Sequence, residues 1–246
     1  NKDILLQTAS FGNSSTKKTV KPKNFEKIEK NILLGKFDYK KDSNFSIVSS
    51  KYSSKTIYLR NEVLLKFDQM YNAALKDGIK LVIISGTRSF NHQKYIWDRK
   101  WAKNIQKMDS ISAVKEIMKY SSMPSTSRHH WGTDIDLNNL ENSYFEIGEG
   151  KKIFDWLVEN AFKYGFHMTY DNQEETKRTG YKMEKWHWSY MPISEQFLIQ
   201  FNEYINCENI SSFKGSKFAC HPKVDVIKNF VNGINTDFKK IINVTE

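Results

Sequence analysis

From Thr133 to Leu137 the chain alternates Thr, Asp, Ile, Asp and Leu, and no other stretch constrains the fold as tightly. In a strand, alternate side chains share a face, so Thr133, Ile135 and Leu137 point one way and Asp134 and Asp136 the other. An apolar core can take the first face. The two acids on the second need solvent, cationic partners or a metal, because an unpaired buried carboxylate is costly.

A second window, Glu184 to Tyr190, complements the first. Trp186, Trp188 and Tyr190 form one face of a strand, and His187 and Ser189 take the other. Glu184 precedes His187 by three residues, an odd-even mismatch that puts it at the strand's entrance or in a bulge. His129 stands seven residues before Asp136, about 23 Å in an extended chain. Both reach one ion only if the chain turns back between them, a turn that Gly132 permits. On parity alone Asp134 competes with Asp136 as a ligand. A catalytic zinc site uses three protein ligands, an open position for water and a nearby unligated base. Either window alone is commonly accidental, so the signal lies in their co-occurrence.

Around these windows the apolar spacing predicts a helix over 60–76, where Val63, Leu64, Phe67, Met70, Tyr71, Ala74 and Leu75 fall at helical spacing and Gly78 suits the stop. It also predicts a buried strand over 79–84, closed by Ser85-Gly86, and a helix that starts near the N-cap Ser89 and turns Tyr95, Ile96, Trp97 and Trp101 toward a core. Further helices are expected over 110–120 and 151–164, strands over 131–137 and 185–191, and short strands or a strap between Tyr39 and Tyr58. Helices and strands interleave without βαβ repetition, which favours α+β. The expected organisation is a flexible basic leader and strap over 1–45, a catalytic domain over 46–204 and a C-terminal extension over 205–246, packed on the domain or trailing from it.

Charge narrows the partners. The net charge is +10, and residues 1–60 hold 13 Lys and Arg against 5 Asp and Glu, a surplus of eight. Such a dispersed basic segment lacks the stacking or base-reading residues of a nucleic-acid face, so no nucleic-acid partner is expected. The longest aliphatic run, Leu81 to Ile84, is far shorter than the ~18 apolar residues of a membrane span, so no transmembrane segment is expected. Cys207 and Cys220, 13 apart, leave open a disulfide in an oxidising compartment or two free thiols. The chain begins at Asn1 without an apolar signal region, which suggests a removed signal or a trimmed chain.

At the two windows the sequence resembles the VanY-type D-alanyl-D-alanine carboxypeptidases, zinc peptidases grouped with lysostaphin-like enzymes and the hedgehog domain. Ser127, His129, Gly132 and Asp136 match one family motif, Glu184, Trp186 and His187 another, and Ser85-Gly86-Thr87-Arg88-Ser89 with Gln93 a third, with Thr87 where a Tyr is common. The resemblance covers roughly residues 60–195. It implies a small, mostly antiparallel sheet flanked by helices and carrying a zinc ion on His129, Asp136 and His187. Glu184 would be the general base. Arg88 would stabilise the oxyanion or hold a substrate carboxylate, with Ser127 and Gln93 as weaker substrate contacts.

The implied activity is a D,D-carboxypeptidase removing terminal D-Ala from peptidoglycan stem peptides, in a monomer of the cell envelope, periplasmic or secreted. An endopeptidase, an L,D-carboxypeptidase and a non-catalytic hedgehog-like zinc module are its rivals. Asp134, where many relatives carry a small or apolar residue, would orient a neighbouring imidazole. His130 reads as a packed neighbour, and His92, His167 and His221 as surface or capping residues.

Overall fold

The computed structural model describes residues 26–237; the basic leader over 1–25 and the last nine residues lie outside them. The helices are α1 (Lys30–Leu33), α2 (Asn61–Lys76), α3 (Phe90–Asn104), α4 (Ser110–Ile117), α5 (Gly148–Asn160), α6 (Gln173–Thr176) and α7 (Met191–Tyr204). The strands are β1 (Phe45–Ile47), β2 (Tyr58–Arg60), β3 (Ile83–Ser85), β4 (Asp134–Leu137), β5 (Phe166–Met168) and β6 (His187–Tyr190). β1 and β2 form an antiparallel pair, and the other four make an antiparallel sheet in the order β3-β4-β6-β5. The α+β architecture with a small antiparallel sheet is as expected.

The sheet's inner face and helix α2 make the main core. Val63, Phe67, Met70, Tyr71 and Ala74 recur at helical spacing and are all buried, which sets α2 against Ile135, Leu137, Trp188 and Phe166. Helix α3 begins at Ser89, whose hydroxyl caps it by accepting from the His92 N–H. Its core residue is Trp97, which donates its indole N–H to the Lys214 carbonyl 2.8 Å away. Tyr95, read as inward, is 65% exposed, because it lies on the opposite face of α3 from Trp97.

Residues beyond α7 pack on α3 and α4. Ile210, Phe213, Ala219, Val224 and Val226 join Trp97, Val114, Ile117, Met118 and Met123 in one buried cluster. A disulfide joins Cys207 to Cys220 within that region. No described helix is long and apolar enough to cross a membrane.

The expected strand over 131–137 starts late. Arg128–Trp131 is instead a single 3-10 turn, closed by Gly132 in the left-handed region at φ 73°. A Cβ there would lie 2.3 Å from a Phe45 ring carbon. Gly132→Ala is therefore expected to destabilise the protein by about 1–3 kcal/mol through overpacking and backbone strain. A thermal melt checks this; an unchanged midpoint would mean that the turn has room to relax.

Candidate metal centre

Strand register builds the site. Asp136 of β4 pairs with Ser85 on one side and with His187 of β6 on the other, and Asp134 pairs with Ser189. The 3-10 turn then folds His129 back over Asp136, bringing its Nε2 to 3.3 Å from Oδ2. His187 Nδ1 lies 3.1 Å from Asp136 Oδ1. One donor atom from each of His129, Asp136 and His187 falls within 4.8 Å of the others, and all three residues are buried.

Hydrogen bonds behind the site select which ring nitrogens face it. His129 Nδ1 is 2.8 Å from the Gly86 carbonyl, which only an N–H can satisfy, so Nε2 is left as a lone-pair donor toward Asp136. On His187, Nε2 lies 2.9 Å from Asp134 Oδ2, which leaves Nδ1 for the site. Two imidazole nitrogens and a carboxylate oxygen within 4.8 Å of one another are a donor set that suits zinc.

Asp134 is wholly satisfied from behind. Arg128 donates from Nε at 3.0 Å, and Ser189 and Thr133 donate their hydroxyls at 2.7 and 2.6 Å. Arg128 itself is 2% exposed and also donates to the Ser189 hydroxyl. Burial alone would raise the Asp134 carboxyl, but Arg128 and His187 hold it below its ordinary value. Burial likewise opposes ionisation of Asp136, and His129, His187 and Arg88 bring it well below the usual carboxylate range. The two acids that the strand pattern set apart from the core thus have cationic partners rather than solvent. Burial pulls His187 down, and its bonds to Asp134 and Asp136 overcome this and hold it up at about 9.

Glu184 sits in the turn before β6, where the His187 N–H donates to its carbonyl, and its Oε2 is 3.8 Å from His187 Nδ1. Burial pushes its carboxyl up to about 8, so it holds a proton far more readily than an exposed glutamate. Arg88 reaches over the strand edge to donate from Nη2 to Asp136 Oδ2 at 2.7 Å, while Ser85 accepts from its Nε and Nη2. A cavity of about 970 Å³ opens on this cluster, lined among others by Arg88, His129, Asp136, Glu184 and His187.

The remaining residues take supporting places. Gln93 is buried behind Arg88, accepting from its Nη1 at 3.5 Å and donating to the Ser122 carbonyl; it does not line the cavity. Ser127 is also buried and off the cavity wall, with its carbonyl accepting from the His130 N–H. His130 is held neutral between the Arg88 carbonyl and the Ser125 N–H, with burial pulling it to about 4. Half-buried His167 belongs to β5 rather than to the surface.

Two contributors carried no sequence signal of their own. Arg128, six residues before Asp134, lies outside both strand windows, and its charge alone does not mark it. The Tyr170 ring packs on His187 with centroids 4.7 Å apart, and its carbonyl accepts from the Glu184 N–H; nothing in its flanking sequence marks it.

Known proteins share part of this sequence and its fold. The chain is 30% identical over 147 residues to a D-alanyl-D-alanine carboxypeptidase of Enterococcus faecalis, an alignment covering 56% of this chain and 52% of that protein. It spans about half the length of the curated relatives it matches. Among solved structures, VanYB in complex with D-Alanine-D-Alanine shares the fold, with a TM-score of 0.52 and 22% identity over 76% of this chain and 93% of that one. The LD-carboxypeptidase LdcB aligns with a TM-score of 0.51 and 26% identity over 69% of this chain and 76% of that one. The family profile described as VanY, D-alanyl-D-alanine carboxypeptidase, matches residues 56–193, more than half of the chain. The chain belongs to the VanY D-alanyl-D-alanine carboxypeptidase family.

Proposed function

We propose that this protein is a zinc-dependent D,D-carboxypeptidase that removes the terminal D-Ala from peptidoglycan stem peptides. The observation that carries the reading is the convergence of His129, Asp136 and His187 within 4.8 Å, with the unligated Glu184 beside them on a cavity large enough for a peptide end. Zinc bound there would supply Lewis acidity, lowering the pKa of a water toward ~7 and polarising the scissile carbonyl. Glu184 takes the proton of the attacking water at its carboxylate and returns it to the leaving amine. Burial raises the proton affinity of this carboxyl, the direction that favours accepting that proton. Arg88 offers its guanidinium at the cavity wall to the negative charge that builds on the carbonyl oxygen. A spare buried carboxyl beside the ligands has no use in a purely structural zinc module, which argues against a non-catalytic role.

The likeness to LdcB supports an L,D-carboxypeptidase as the second reading. Incubation with defined muropeptides, with and without a chelator, followed by mass analysis of the products separates the two. Loss of one D-Ala from a pentapeptide stem, abolished by the chelator, is the expected result. Cleavage of a tetrapeptide stem alone would move the assignment to the second reading, and chelator-resistant cleavage would remove the metal.

The polar support of His187 gives a further expectation. Asp134→Ala should weaken zinc affinity roughly 10–100-fold, because it frees the ring whose Nε2–H it fixes. Chelator competition on folded protein measures this; unchanged affinity would confine Asp134 to its bonds with Arg128, Ser189 and Thr133.

A further inference from the structure

The cavity wall beyond the metal centre is basic in a way the hydrolytic machinery does not use. Lys55, Arg99 and Lys100 line it, against the single acid Glu141 outside the centre itself. None of these three cations makes an ion pair among the described residues. Lys100 stands out because it is partly buried and its ammonium has a neutral partner, the Ser121 hydroxyl at 2.5 Å. A charge partly withdrawn from water is favoured by a counter-ion, since desolvation otherwise disfavours it.

The neighbourhood sharpens the point. Burial lowers the Lys100 ammonium below its ordinary value; Glu184 opposes this, and Arg99 and Arg88 add to it. Lys100 therefore sits within electrostatic reach of the general base and of two other cations. Of that trio only Arg88 has a carboxylate, Asp136. Arg99 and Lys100 are successive residues of α3, so the helix brings two like charges to one wall. Such a grouping is unfavourable in the free protein and is relieved by an incoming anion.

We infer that Lys100, supported by Ser121 and flanked by Arg99, forms an anion subsite on the cavity wall that binds a carboxylate of the peptide substrate. This deepens the carboxypeptidase reading and rests on it, because a peptide is the acidic ligand that reading brings into the cavity. The carboxylate has two sources, the free C-terminus of the peptide or the side chain of an acidic residue upstream of the scissile bond. Both present the same two oxygens to an ammonium and a hydroxyl.

The test uses the full chain loaded with zinc. Three peptides are compared: one ending in D-Ala-D-Ala with an upstream acidic residue, its C-terminal amide, and its analogue with the upstream acid replaced by the amide. Affinity is measured by calorimetry in a Glu184→Gln background, and KM and kcat are measured with the general base intact. Lys100→Met should weaken the first peptide about tenfold, with the loss falling on KM, while Lys100→Arg restores most of it. The penalty should vanish for whichever amide removes the paired carboxylate, and this identifies the source. Equal affinity of the Lys100 and Lys100→Met proteins for all three peptides would overturn the subsite. If the protein with its base intact still removes D-Ala in that case, the carboxypeptidase reading survives; if it neither binds nor cuts, both fall.

Discussion

Glu184→Gln should lower kcat on a D-Ala-terminated muropeptide by about 10³-fold while leaving zinc content and peptide affinity close to those of the unmodified protein. The amide keeps the size and much of the hydrogen bonding of the side chain but cannot accept the proton of the attacking water. Its place explains why the loss should be confined to turnover: Glu184 lies outside the three-ligand set, 3.8 Å from His187 Nδ1, and is not needed to hold the metal. Removing this buried acid also relieves the penalty that pushes its pKa up, so the variant should melt no lower. Steady-state kinetics with elemental analysis of the same sample checks both halves. Unchanged turnover would remove Glu184 from the mechanism, and lost zinc would make it a ligand.

How much of this was legible in the sequence follows from periodicity and its failures. The alternation sets Asp134 and Asp136 on the non-core face of one strand and His187 and Ser189 on that of another, and the register joins these four across β4 and β6. Helix α2 was readable because its apolar spacing is long and regular, and α3 because Ser89 is a strong cap. The turn at Gly132 was foreseen as a need of His129, although it converts the first residues of the expected strand into a 3-10 turn.

What periodicity does not encode is tertiary pairing. Arg128 looked like any charged loop residue until the fold buried it against Asp134. Gln93, matched by motif, faces Arg88 and the Ser122 carbonyl rather than the cavity, a direction that depends on how α3 is rotated against its neighbours. Tyr95 was misplaced for the same reason: Trp97 fixes the buried side of a helix whose sequence is only weakly amphipathic.

His187→Ala should have the second of the two largest effects. It deletes one of three donors and leaves Asp134 facing a void, so most of the zinc should be lost and hydrolysis should fall to background. His187 is also the residue that two aspartates and the Tyr170 ring hold in place, which concentrates the centre's preorganisation on it. Elemental analysis after dialysis reads the metal directly. Full occupancy in the variant would exclude His187 as a ligand, whatever happened to activity.

The central claim is that one zinc ion is gripped by two imidazoles and one aspartate on the wall of the cavity. Anomalous diffraction at the zinc absorption edge, from crystals of the zinc-loaded protein, tests it most directly. The account predicts one strong peak at about 2.0–2.2 Å from His129 Nε2, an Asp136 carboxylate oxygen and His187 Nδ1. A peak elsewhere, or none at these three atoms in protein that carries stoichiometric zinc, would contradict it.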